Sequence, residues 1–304
     1  KNATLPILAA SILTSHVQLK NIPLVKDIFT MIQLLNFIGL KTKLIKKKNN
    51  IIISNQDKNI NTLAPYKLVK TMRAGVLVLG SLLTKYRKAK VSLPGGCAIG
   101  TRPVNLHLFA LKKLGAKIKI KDGYILAEAK KGLRGAKIKF PSISVGATEN
   151  ALLAAFKAKG KTILKNCAIE PEIKDLTNFL NLAGAKIKWS GRKCVIEGVN
   201  SLNQTKYSVM ADRIEAGTFC VAATLAKGNL KISNLDAKMQ YEFYLHQVSK
   251  GKRFSKWYKS ENDDDLALLA KHYRCSRVKA EEIKKTLSDS QIESIRQHLK
   301  GVSD

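Results

Sequence analysis

The chain repeats itself, and the repeat is what most limits how it can fold. An apolar helix (about Ala3 to Ser15) leads to a strand (Val17 to Leu19), a turn at Asn21–Pro23 and a second helix that stops at Gly39. Two lysine-rich strands follow, LKTKLI and NIIIS. The same order returns from Arg73: helix MRAGVLVLGSLL, strand KVSL, a loop, helix VNLHLFALKKLG ending at Gly115, then strands AKIKI and YILAE. It returns again from Ala147: ATENALLAAFKA, strand TILKN, a turn to Pro171, helix IKDLTNFLNLAG ending at Gly184, and strands AKIKW and KCVIEG. A fourth unit opens at Ile214 with IEAGTFCVAATLA and NLKISNL and goes no further. The period is roughly 70 residues, longer than a solenoid repeat, so each unit reads as a small α/β module. Pro23, Pro103 and Pro171 stand before the second helices, and Asp27, His107 and Asp175 share one offset beyond them. Three alike α/β modules would pack most simply around a pseudo-threefold axis. The apolar first helices would lie inside and the half-polar sheets would face water.

Functional weight falls on the second module. Its strand-to-helix turn, PGGCAIGTRP, is longer than its counterparts and holds Gly95, Gly96, Cys97, Gly100 and Arg102. Glycines let backbone N–H groups approach an anion, a helix N-terminus adds partial positive charge, and Arg102 adds a full one. A thiol in such a field ionises more readily, which makes Cys97 a candidate nucleophile or acid. The alternative is a glycine-rich turn with an incidental cysteine. Lys1, Asn2, Arg73 and Ser144 to Gly146 stand at the N-terminal ends of the modules' first helices, where anions are favoured. Solvated charges at Lys1 and Arg73, a capping role for Ser144 and a packed or capping His107 are the competing readings.

The 304 residues carry a formal net charge of +32 and a pI near 10.0, a balance that ordinarily points to nucleic acid or an anionic surface. Here the lysines are spread through nearly every segment and alternate with isoleucine, as on solvated strand faces. Aromatic residues are 6% of the chain and rarely interleave with the basic runs, which speaks against a stacking platform and against nucleic-acid binding by the body. The five cysteines form no CxxC pair and the histidines lack ligand spacing, so no metal or cofactor is expected. Scattered thiols fit a reducing cytoplasm, and no apolar run reaches membrane-spanning length, so neither a membrane location nor a membrane partner is expected.

Six motifs in order, KNATLPILAA, LVKTMRAG, SLPGGCAIGTRPVNLH, SVGATEN, EPEIKD and DRIEAGTF, resemble the UDP-N-acetylglucosamine enolpyruvyl transferases (1-carboxyvinyltransferases) over about residues 1–236. The resemblance implies transfer of the enolpyruvyl group of phosphoenolpyruvate to the 3′-hydroxyl of UDP-N-acetylglucosamine with release of phosphate, the first committed step of peptidoglycan synthesis. It makes Cys97 the catalytic acid or nucleophile and the site of fosfomycin alkylation. It assigns Lys1, Asn2 and Arg102 to phosphoenolpyruvate. Arg73, the run Arg102, Pro103, Val104, Asn105 and Leu106, and the run Ser142, Ile143, Ser144, Val145 and Gly146 fall to the nucleotide sugar. Asn105 and Ser142 depart from the residues usual in the family. The implied fold is an inside-out α/β barrel of three modules per lobe, and the implied organisation is a first lobe at 1–212 (modules about 1–70, 71–145 and 146–212) and the start of a second lobe at 213–238. With most of that second lobe missing, little or no turnover is expected of this chain alone.

From residue 239 the module rhythm gives way to helical patterns. DDDLALLAKHYRC has an acidic helix start, and Ser288 with Gln291 makes a capping-box pattern. The segment from Tyr241 with GKRFSKW resembles the C-terminal part of a tailed-phage sliding-clamp loader small subunit. That likeness implies a clamp-loader large subunit as partner and a chimeric chain, and a generic helical extension is the alternative.

Overall fold

A computed structural model describes residues 1–56, 59–95, 104–226, 264–273, 280, 283–284 and 287–300. The chain divides into two compact units, Lys1–Phe243 and Tyr244–Asp304.

In the first unit the elements follow the repeat. The first module holds α1 (Thr4–Ala10) with a 3-10 turn after it, β1 (His16–Lys20), α2 (Lys26–Ile38), β2 (Lys41–Ile45) and β3 (Asn50–Ser54). A connecting segment carries β4 (Leu63–Ala64) and α3 (Tyr66–Val69). The second module holds α4 (Val78–Tyr86), entered through a 3-10 turn at Arg73–Leu77, then β5 (Lys88–Ser92), α5 (Asn105–Lys113), β6 (Lys117–Lys121) and β7 (Tyr124–Glu128). After β8 (Lys137–Lys139) the third holds α6 (Val145–Ala155), β9 (Lys161–Lys165), α7 (Pro171–Leu182), β10 (Lys186–Ser190) and β11 (Lys193–Glu197). β12 (Thr205–Ser208) and α8 (Arg213–Leu225) close the unit's described part.

Every residue of α1 is buried, as is nearly all of α4 and α6. A helix buried almost all round has no solvent face to offer, so α4 packs on α1 and α6, and all three lie against the rest of the core. The second helices end where the glycines forecast. Gly39, Gly115 and Gly184 take positive φ, and the Gly39 N–H donates to the Leu35 carbonyl at 3.1 Å. β10 and the first four residues of β5 alternate outward-facing lysines with inward-facing residues.

The expected inside-out α/β barrel is not what the strands form. Among the described residues they make three separate four-stranded sheets in one shared order: β12-β1-β3-β2, β4-β5-β7-β6 and β8-β9-β11-β10. Each sheet ends on edge strands, and no ladder joins one sheet to the next, so none closes on itself. The reason lies in the pairing. Each connecting segment adds one parallel strand to the module that follows it, and then that sheet stops. β12 returns to the first sheet, pairing Val17 with Thr205.

In the second unit, α9 (Asp264–His272) and α10 (Asp289–Lys300) are helical, as the sequence pattern of the tail suggests. The two pack together. The Asp265 carboxylate pairs with Lys284 at 3.0 Å and with Arg296. The capping box is present: the Ser288 backbone N–H donates to Gln291 Oε1 at 2.8 Å.

Candidate functional site

A cleft of about 310 Å³ opens where the modules' first helices begin. Lys1 and Asn2 reach it from the start of α1, Arg73 from the 3-10 turn before α4, and Ser144 and Gly146 from the start of α6. Asp27 and His107, from the first turns of α2 and α5, complete one side, and Glu149 from α6 forms part of the floor.

The polar groups are held by specific partners. Lys1 Nζ meets Asp27 at 2.9 Å. Asn2 donates to the Asp212 carboxylate from its backbone N–H at 3.1 Å and from its side-chain amide at 3.2 Å. Ser144 caps α6 through its hydroxyl, which accepts from the Ala147 N–H at 3.3 Å. Capping and a place on the cleft are therefore both true of Ser144.

His107 is buried, and its environment sets its protonation. Asn150 Oδ1 accepts from the Gly80 N–H at 2.7 Å, which turns its amide nitrogen toward the Val76 carbonyl at 3.0 Å and His107 Nδ1 at 3.1 Å. Nδ1 is then the acceptor, and the neutral ring carries its proton on Nε2. Burial, and then the charge of Arg73, lower the His107 pKa to about 4. Gly146 lets the ring pack against the start of α6, since a Cβ there would lie 3.0 Å from His107 Cε1.

Glu149 is the opposite case. Burial, with Glu172 and then Glu170 close by, raises its pKa to about 8, so it is a neutral acid at pH 7. Glu172 forms a two-pronged pair with Arg213, whose Nε and Nη2 donate at 3.1 and 3.0 Å. The cleft thus has cations on its walls, a helix N-terminus at its edge and an uncharged acid below, an arrangement suited to an anionic ligand.

Of the residues singled out by sequence, the structure brings Lys1, Asn2, Arg73, Ser144 and Gly146 to one cleft. Val104 is buried, and Leu106 and Val145 pack against the core. Asn105, Ser142 and Ile143 are exposed outside the lining. Cys97, Arg102 and Pro103 lie outside the described residues. Cys167 and Cys194 are buried, and burial pushes the Cys167 thiol up to about 11, so neither is a reactive thiol. Sequence reasoning passed over Asp212, Glu149 and Asn150 as site residues. The shared offset of Asp27 and His107 was a signal for both, because it placed them at equivalent helix starts. Among the described residues no cluster of His, Cys, Asp and Glu could hold a metal ion, and no helix is long and apolar enough to cross a membrane.

Three first helices that begin around one cation-walled cleft, each backed by a four-stranded sheet, are the design of an enolpyruvyl transferase lobe, and comparison with known proteins agrees. The chain belongs to the family described as EPSP synthase (3-phosphoshikimate 1-carboxyvinyltransferase), whose model matches residues 1–290. Within it, the similarity is to UDP-N-acetylglucosamine 1-carboxyvinyltransferases. The Pelagibacter ubique (strain HTCC1062) protein is 60% identical over 241 residues, 79% of this chain and 57% of that protein. The Endomicrobium trichonymphae protein is 51% identical over 232 residues, 76% of this chain and 55% of that one. The chain therefore spans somewhat more than half the length of these relatives. Among solved structures, the enolpyruvyl transferase NikO from Streptomyces tendae superposes with a TM-score of 0.63 at 19% identity, covering 73% of this chain and 52% of that one. EPSP synthase from Acinetobacter baumannii gives 0.58 at 18%, covering 72% and 50%. These two likenesses speak to the fold. The family model runs well past residue 239, and a clamp-loader ancestry for the tail gains no support from any of these relatives.

Proposed function

We propose that this chain carries the substrate cleft of a UDP-N-acetylglucosamine 1-carboxyvinyltransferase. The reaction joins the enolpyruvyl group of phosphoenolpyruvate to the 3′-hydroxyl of UDP-N-acetylglucosamine and releases phosphate, in peptidoglycan synthesis. The observation that carries the reading is the convergence of Lys1, Asn2, Arg73, Ser144 and Gly146, from three modules, on one cleft.

In this reading residues 1–212 are a first lobe. Lys1, Asn2 and Arg102 bind phosphoenolpyruvate. Arg73, the run from Arg102 to Leu106 and the run from Ser142 to Gly146 bind the nucleotide sugar. The enol carbon becomes electrophilic when it is protonated, and Cys97 serves as the acid or as the covalent partner. The chain spans 57% of the first relative's length, and turnover by these residues alone is expected to be weak. Binding and thiol chemistry are therefore the direct tests. UDP-N-acetylglucosamine should slow alkylation of Cys97 at least several-fold, and Arg73→Ala should remove that protection while leaving the unprotected rate unchanged. A thiol alkylated at one rate with and without the nucleotide sugar would sink the reading.

A further inference from the structure

We infer that the exposed end of the third sheet binds an oligophosphate chain, at a place separate from the cleft. The observation is a register. The ladder sets Lys139 of β8 opposite Lys165 of β9, and Ser190 of β10 opposite Lys193 of β11. The β9–β11 ladder ends on Leu164 paired with Cys194, and Lys165 and Lys193 are the next residues of the two strands, lining one depression with Lys139. Three lysines thus stand side by side on adjacent strands, all exposed on one face.

Like charges set directly opposite in a sheet repel. At the other end of the same sheet that repulsion is relieved, because Glu197 stands between Lys186 and Lys161. Glu128 does the same between Lys117 and Lys88 in the second sheet. The Lys139–Lys165–Lys193 row contains no carboxylate.

The uncompensated row also lies in a depression of about 800 Å³, whose rim adds Arg192, Asn166 and Ser190. The rim is built on fixed backbone. Arg192 Nη1 donates to the Cys167 carbonyl at 3.0 Å, and Asn166, held at a positive φ of 59°, donates to the Phe140 carbonyl at 2.9 Å. Strands in a sheet are ~4.8 Å apart, so the three ammonium groups span roughly 10 Å. That length suits a chain of two or three phosphoryl groups better than one monovalent ion. No exposed aromatic ring lines the depression to stack a base, so the phosphate chain is what is recognised.

The test is titration of the full chain with tripolyphosphate at 50 and 200 mM salt, using Lys165→Ser with Lys193→Ser, Lys186→Ser as the control from the compensated row, and Arg73→Ala as the control from the cleft. The expected result is binding that weakens at least ten-fold in the double variant and steeply with salt, that is unchanged in Lys186→Ser, and that is lost on the double substitution whether or not Arg73→Ala is also present. A nucleoside triphosphate should bind no more tightly than tripolyphosphate. Lys165→Glu should abolish binding while raising the melting temperature. Absence of binding, equal loss in Lys186→Ser, loss only in Arg73→Ala, or a nucleotide preference of ten-fold or more would each overturn the assignment.

Discussion

At the scale of residues, the cleft rests on polar groups that the fold has buried and then satisfied. Asn150 is fully buried and serves Gly80, Val76 and His107 at once. Asn150→Ala leaves the Gly80 N–H without a partner, and a buried unsatisfied donor costs about 1–3 kcal/mol. Urea unfolding should show that loss, together with a His107 resonance that titrates closer to its ordinary value in NMR. Gly80 is the complementary position, where a Cβ would collide with the Asn150 side chain and stand 2.7 Å from its carbonyl oxygen. Gly80→Ala should therefore destabilise by at least about 1–3 kcal/mol, as overpacking does.

Glu149 gives a pH dependence with a definite sign. The folded state holds its proton up to about pH 8, whereas an ordinary glutamate releases it near 4.5. Between those values the folded state binds the extra proton, so stability from this group is full below 4.5 and falls as pH rises through 8. Glu149→Gln keeps the shape and removes the proton. Unfolding free energies measured from pH 5 to 9 should fall by a few kcal/mol (on the order of one per pKa unit of difference) in the natural chain and stay flatter in the variant.

At the scale of elements, the helix ends were legible because capping is local chemistry. Gly39 takes φ of 114°, and a side chain there would be strained and would also meet the Asn59 carbonyl. Gly39→Ala should lower stability by about 1 kcal/mol or more, read as a shift in the urea midpoint with an unchanged slope. Ser144 was legible for the same reason, since a serine before a helix offers its hydroxyl to a free N–H. The network around Asn150 was not legible. Its partners lie 70, 74 and 43 residues away, and no spacing rule in sequence encodes contacts at such separations. The inside-out barrel was a wrong expectation for a related reason. Alternating lysines identify strands and their exposed faces but do not say which strand lies at an edge, and the three sheets all have edges.

At the scale of the whole first unit, the return of the chain ties its last described module to its first. β12 pairs with β1, Asn21 donates to the Val209 carbonyl at 2.8 Å, and the Tyr207 hydroxyl donates to Asp175 at 2.7 Å. Tyr207→Phe removes one bond to a buried carboxylate and should cost about 1–3 kcal/mol. Because β12 belongs to the first sheet while Asp175 lies on α7 in the third module, the loss should appear in both together. Amide exchange in β1 and β9 should accelerate by the same factor, and acceleration confined to β12 would show that the modules open independently.

The sequence alone determined the modules, their order, the helix caps, the lysine-bearing strand faces and the family, because each of these is written in local spacing or in ordered motifs. Tertiary structure decided that three sheets stay open, that residues as far apart as Asn2, Arg73 and Ser144 share one cleft, and that His107 and Glu149 are both neutral there. Protonation follows from what surrounds a group once water has been excluded, and that surrounding is assembled only when distant segments meet.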